Sequence, residues 1–246
     1  MQLPRVRKNA IINIMKILEA DMFKTETHIH TMEVSPCSHI RAVAMVRRYA
    51  SEGYSTLCIT DHFQGNTLDA LGDIPWADKM AIFLAGYYRA KREGDKLGVN
   101  VIMGAEFCFA DSSNHFVAYG ITKEFLDAHP ELHKMTVKEF SVIAKEHGVF
   151  LVQAHPYRDG KCFPMTEYVD AIELYNSNPR HDNKTELAEA LIKEIDIPVS
   201  AGSDTHRDED VALSGIMTET EIKTAEDLID CIKNRKVVLI RGERAE

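Results

Sequence analysis

The sequence predicts an α/β fold, either closed into a barrel or wound as an open sheet, and three observations predict it. Short apolar runs alternate with amphipathic helical stretches from end to end. The runs are apolar at successive rather than alternate positions, as parallel strands covered on both faces should be. Polar, metal-competent side chains fall directly after several of these runs, where a βα architecture gathers its chemistry. No G-x-G-x-x-G or G-x-x-x-x-G-K occurs, so the nucleotide-binding versions of the open sheet lose their support.

The expected strands are 56–59, 99–103, 149–152, 171–174, 199–201 and 237–240, with a further one at 116–119. Between them, Ala42, Met45, Val46 and Tyr49 recur at i, i+3, i+4, i+7 and define one helical face. Ala225, Leu228, Ile229 and Ile232 repeat the pattern, with Thr224 and Asp227 spaced as a capping box. Leu187, Leu191 and Ile195 mark a helix before Pro198, and Val137, Phe140 and Ala144 one that ends near Gly148. Ile11, Ile14, Met15 and Leu18 suggest an opening helix, so residues 1–23 read as a helical extension of one barrel-sized domain over 1–246. The segment 63–79, rich in Gly, Asp and Pro, reads as a long rim loop. It is either a substrate lid or a segment anchored by Trp76, the only tryptophan.

Composition narrows the function classes. The 246 residues are 45% hydrophobic and 27% charged, an ordinary globular mixture with no repeats or low-complexity tract. Twenty-nine basic against 38 acidic residues leave a net charge of −9, which argues against strong duplex nucleic-acid binding. A small anionic substrate then needs metal ions or local arginines to supply positive charge. No apolar run approaches the roughly 18 residues of a membrane span. Five scattered cysteines without a C-x-x-C pair suit free thiols in a reducing compartment, so a cytoplasmic location is expected.

His28 and His30 form an H-x-H pair; on a strand, i and i+2 share a face. Taken alone, this pair is a weak signal. Asp61-His62 follows the next strand, Glu106 the third, and His115 opens the fourth. His155 closes another strand in Ala-His-Pro, and Gly202-Ser-Asp204-Thr-His206 closes one more. Each histidine singly reads as readily as a hydrogen-bonded lining residue, but six clusters at corresponding positions point to a shared site. Imidazole and carboxylate without cysteine suit zinc, manganese or iron. The ligands outnumber what one ion can use, so two or three divalent ions are expected, an arrangement that favours phosphoryl transfer.

The ordered motifs H-x-H, T-D-H, G-x-E, H, A-H-P and G-S-D-x-H, between Thr27 and His206, resemble those of the PHP (polymerase and histidinol phosphatase) family. The resemblance implies a distorted (β/α)7 barrel with a di- or trinuclear metal centre at the C-terminal strand ends. It also implies a phosphoesterase that hydrolyses a small phosphomonoester, such as histidinol phosphate, by metal-activated hydroxide. By that resemblance His28, His30, Glu106 and Asp204 hold one ion, and Glu106, His115 and His155 a second. His62 and His206 hold a third, with a residue of the loop after His30. Relatives often use a histidine or aspartate there; this chain offers Glu33 or, further on, His39.

Asp61 reads as a partner orienting a histidine, and it joins Arg158 and Arg207 as a candidate for catalysis. Arg158, Arg180 and Arg207 stand just beyond strand ends, where they either meet phosphate oxygens or serve as solvated surface charge. Glu173, inside an apolar strand, is a satisfied buried carboxylate or a rim group. His129, His133, His147 and His181 carry no motif and read as structural. Rival activities are a phosphodiesterase or exonuclease, an amidohydrolase, and a replication-associated metal-binding scaffold without catalysis.

Overall fold

The computed structural model describes residues 22–110 and 112–242. The expected opening helix lies outside them. Strand β1 (Phe23–Ile29) pairs in parallel with β2 (Tyr54–Ile59), and β2 with β4 (Asn100–Cys108); the two-residue β3 (His62–Phe63) also lies along β4. Next come β5 (His115–Tyr119), β6 (Phe150–Ala154), β7 (Ala171–Asn176) and β8 (Val199–Gly202) in sheet order. The sheet then curls back on itself. Thr205 N–H donates to the His28 carbonyl at 3.2 Å, and His30 N–H donates to the Thr205 carbonyl at 3.0 Å. Seven strands thus form a nearly closed α/β barrel.

Every expected strand is present, but not every expected polarity. β5 runs antiparallel to both β4 and β6. The 109–114 connection is too short for a parallel crossover, which takes about a dozen residues or more. β9 (Gly215–Thr218), which lacks a clear run in the sequence, lies antiparallel to β1, and β10 (Val238–Ile240) is antiparallel to β9.

The helices form the outer layer. α1 (Ala42–Ser51) buries Ala42, Met45, Val46 and Tyr49 as its spacing predicts. The segment 63–79 is not a loop: it contains α2 (Gly65–Leu68) and the start of α3 (Trp76–Phe83). Trp76 donates its indole N–H to the Leu126 carbonyl at 2.8 Å, which pins that segment to the barrel wall. α4 (Ala85–Leu97) also carries no apolar stripe, because the face it buries is Gly86, Ala90, Glu93 and Gly94. It stops at Gly98, whose φ of 71° is the left-handed conformation that ends helices.

α5 (Lys123–Ala128) and α6 (Val137–Glu146) follow β5, α7 (Thr185–Glu194) follows β7, and α8 (Ala225–Lys233) follows β9. The expected capping box of α8 is formed by Thr224 and Asp227. Phe63, Phe107 and Phe140 stack between α3, α6 and the sheet with neighbouring ring centroids 4.7 Å apart. Each buried phenyl contributes about 1.5–3 kcal/mol relative to exposure, so this wall fixes β4 firmly. No helix among the described residues is long and apolar enough to cross a membrane.

Candidate metal centre

Strand register gathers the candidate ligands. His28 lies on β1 and His30 just beyond it, so alternation turns both imidazoles to the barrel mouth. His62 pairs with Glu106 across β3 and β4. Cys108 pairs with His115 across β4 and β5, which sets His115 on the same face as Glu106. His155 follows β6, and Asp204 and His206 follow β8. His155 and Asp204 hold φ values of 31° and 52°, left-handed backbone that the surrounding packing imposes.

Glu106 is the hub. Its Oε1 lies 3.3 Å from His28 Nε2, 3.1 Å from His115 Nδ1 and 3.2 Å from His155 Nε2. Its Oε2 lies 2.7 Å from His62 Nδ1 and 3.4 Å from His30 Nε2. Asp204 Oδ1 completes the cluster, 3.2 Å from His30 Nε2 and 3.3 Å from His206 Nδ1. Within it, His28–His30–Glu106, His62–Glu106–His115 and His30–His62–His206 each offer ligand atoms within 4.8 Å of one another. His28 Nε2, His30 Nε2, His62 Nδ1, His115 Nδ1 and Glu106 Oε2 are buried without a hydrogen-bond partner. Buried polar atoms are otherwise almost always paired. Their orphaning, their convergence and their nitrogen and oxygen chemistry all fit divalent cations.

Charge within the cluster follows from contact. Burial alone would raise Glu106, but His115, His62 and His28 more than offset it and hold the carboxyl well below its usual range. Asp204 is likewise lowered, against burial, by Arg158, His28 and His206. Burial lowers His30, and the His62 and His206 rings push it down further. Burial and Arg158 bring His155 down to about 3. Against burial, Glu106 lifts His62 to about 10 and His115 to about 9.

At neutral pH, therefore, His62 and His115 carry protons that an incoming cation must displace. Metal uptake in weakly buffered solution is expected to acidify it. Metal affinity should rise with pH from neutrality as these imidazoles lose their protons. A titration showing no proton release would contradict ligation by these two residues.

Beneath the ligands, Glu173 is a satisfied buried carboxylate. Its Oε1 pairs with His28 Nδ1 at 2.9 Å, which leaves Nε2 facing the cluster. Its Oε2 accepts from His155 N–H at 3.1 Å and Asn176 Nδ2 at 2.9 Å. Glu173→Gln keeps the shape but removes the charge, so metal affinity is expected to fall about 10–100-fold, as read by competition with a chelating dye. Unchanged affinity would show that His28 needs no such support.

The remaining candidates have different placements. Glu33 is not among the converging groups: its Oε2 accepts from Ala42 N–H at 2.9 Å and caps α1, with Arg89 3.7 Å away. His39 docks by its backbone, donating its N–H to the His206 carbonyl at 2.7 Å. Asp61 accepts from Thr31 N–H, Thr31 Oγ1 and Ser35 Oγ, each at 2.7 Å, and so orders the loop after β1. Arg158 donates from Nη2 to Asp204 Oδ2 at 2.5 Å and to Asn176 Oδ1 at 2.8 Å, and from Nε to Asn183 Oδ1 at 2.9 Å. Arg180 is bound to Asp210, and Arg207 lines the cavity above the cluster.

The sequence reading passed over Asn176, Asn178 and Asn183, and also Cys37. The Cys37 thiol lies beside His206 and His62. Cys37 is an exposed residue; partial enclosure of its thiol would raise it, but these two rings bring it down to about 6.

A nearly closed α/β barrel carrying a multi-histidine, two-carboxylate cluster at its strand ends defines a barrel protein built to hold divalent cations. The PHP domain family model matches residues 26–237, and the chain belongs to the PHP domain family. None of the curated proteins matches it.

Among solved structures, it is similar to a two-domain protein from Bacteroides vulgatus containing a predicted PHP-like metal-dependent phosphoesterase. The TM-score is 0.64 at 16% identity, over 90% of this chain and 65% of that one, so it spans less than two thirds of that protein's length. It is similar to PsfC from Pseudomonas syringae, with a TM-score of 0.63 at 18% identity, over 90% of this chain and 92% of that one. The lesion-specific endonuclease PfuEndoQ from Pyrococcus furiosus matches with a TM-score of 0.57 at 15% identity, over 87% of this chain and 56% of that one. At these identities the likeness is one of fold.

Proposed function

We propose that the protein hydrolyses a small phosphomonoester, histidinol phosphate or a related phosphorylated metabolite, on two or three divalent ions of the zinc, manganese or iron kind. One observation carries this reading. The orphaned ligand atoms sit under a cavity of about 370 Å³ whose wall includes Lys161 and Arg207 beside Asp159, with Arg158 and Arg180 paired to Asp204 and Asp210. A cation-holding floor under a basic wall suits a phosphate head, and the volume suits a metabolite rather than a polymer.

Bound ions supply neutralisation of the phosphate oxygens and activation of a water molecule. The chain supplies the frame. Glu106 and Asp204 stay ionised, Glu173 orients His28, and Arg158 holds Asp204 in place. Lys161 and Arg207, at the cavity wall, draw in the anionic ester despite the net charge of −9. No nucleophilic side chain is needed. Five free cysteines support a reducing, cytoplasmic setting.

The test is to strip metal with a chelator, restore manganese or zinc, and screen phosphate release. The screen covers phosphomonoesters, phosphodiesters and oligonucleotides, with an amide panel beside it. Metal-dependent turnover of small monoesters is expected. Preferential cleavage of diesters or amides would replace the substrate assignment, and turnover indifferent to chelation would remove the mechanism.

A further inference from the structure

The loop between β1 and α1 places a thiol where the sequence pattern suggested a carboxylate or an imidazole. Ser35 Oγ donates to Asp61 Oδ1 at 2.7 Å and accepts from His62 N–H at 3.0 Å. Ser38 Oγ donates to the His30 carbonyl at 2.8 Å, and His39 N–H to the His206 carbonyl at 2.7 Å. Cys37 stands between these two pinned serines, lines the cavity with His62 and His206, and interacts with both rings. Glu33 is turned away on the helix cap.

A second, independent observation points to a ligand in the same place. His30, His62 and His206 offer nitrogens within 4.8 Å of one another beside the cavity that Cys37 lines, and the buried His30 Nε2 and His62 Nδ1, which also face Glu106 Oε2, have no hydrogen-bond partner. The His30 and His206 rings stack at 4.3 Å and the His30 and His62 rings at 4.2 Å. Three imidazoles facing one another, with Cys37 lining the same cavity, add a sulfur donor on this side of the centre, which shares His30 and His62 with the set around Glu106.

We propose that Cys37 is a metal ligand. It joins His62 and His206 as a thiolate at one position of the centre and makes that position selective for zinc or iron(II) over manganese. The proposal rests on the metal-dependent reading above. On binding, the thiol proton passes to solvent and the sulfur lone pair forms the bond to the cation, so no oxidant or reductant is involved. Thiolate is the softer donor, and soft donors favour zinc and iron over manganese, whereas carboxylate and imidazole alone accept all three. The chain then carries two kinds of site in one cavity, one of them sulfur-marked.

Cobalt(II) titration of the full-length, metal-stripped protein tests this by absorption and elemental analysis. The wild type is expected to show a near-ultraviolet thiolate-to-cobalt charge-transfer band. Cys37→Ser should lose the band and one cobalt ion per chain while retaining the others. Cys37→Asp should regain the ion without the band and shift its preference toward manganese. Cys108→Ser and Cys162→Ser, controls for the other thiols near the cavity, should keep the band. Cobalt bound without a thiolate band, or a band that survives in Cys37→Ser, would overturn the assignment and leave the metal-dependent reading intact. A wild-type protein that binds no cobalt at all would overturn both.

Discussion

Glu106→Gln should strip the centre of metal and lower turnover by about a thousandfold or more, equivalent to about 4 kcal/mol of transition-state stabilisation. The expectation follows from geometry, because one carboxylate lies within 3.4 Å of five imidazole nitrogens. The amide keeps the volume but loses the charge that draws cations and holds the rings together. A signature independent of activity accompanies it. His62 and His115 owe their high values, about 10 and about 9, mainly to this carboxylate. In the metal-free variant both should titrate several units lower by nuclear magnetic resonance. A variant with wild-type metal content and unmoved histidines would show that Glu106 is not the hub.

Gly202→Ala is expected to cost about 1–3 kcal/mol of stability and to weaken metal binding together with it. A methyl group there would stand 2.6 Å from His28 Cβ, 2.8 Å from Glu173 Oε1 and 3.0 Å from Thr27 Oγ1. None of these is the free end of a flexible chain: His28 and Glu173 hold each other, and Thr27 Oγ1 donates to the Ala201 carbonyl at 2.7 Å. Relief therefore has to come from β8 moving off β1, which carries Asp204 away from His30. Urea denaturation and chelator competition read the two effects separately. Full stability with full metal content would mean that the strands approach less closely than described.

Much of the centre was legible because its ligands fall at strand ends, and strand ends are local features of sequence. His62, Glu106, His155, Asp204 and His206 follow or close apolar runs, His28 and His30 form an i, i+2 pair, and the structure brings them together with His115. What stayed hidden depends on distant partners. The path of the loop after His30 is set by Asp61 and by the His206 carbonyl, so nothing near Glu33 signals that its carboxylate will cap a helix. Arg158 reads as a free cation in sequence, yet two asparagines and Asp204 claim it. α4 escaped because the face it buries is made of two glycines, an alanine and Glu93 rather than large apolar residues. The reversal of β5 had a signal in the brevity of 109–114, a spacing that a purely parallel reading overlooks.

That reversal bears on how the barrel forms. β4 and β5 are joined by the short 109–114 connection, and β6 follows after α5 and α6, so this antiparallel part of the sheet closes at far shorter sequence separation than the final seam. The final seam, by contrast, joins Thr27 to Ala201 across 174 positions. Glu106, His115 and His155 can meet early in folding, with His28 and His30 joining through β1, β2 and β4, whereas Asp204 and His206 wait for β8 to arrive. Cation capture is then a closing event, and the ions act as a clasp on the slowest seam of the molecule.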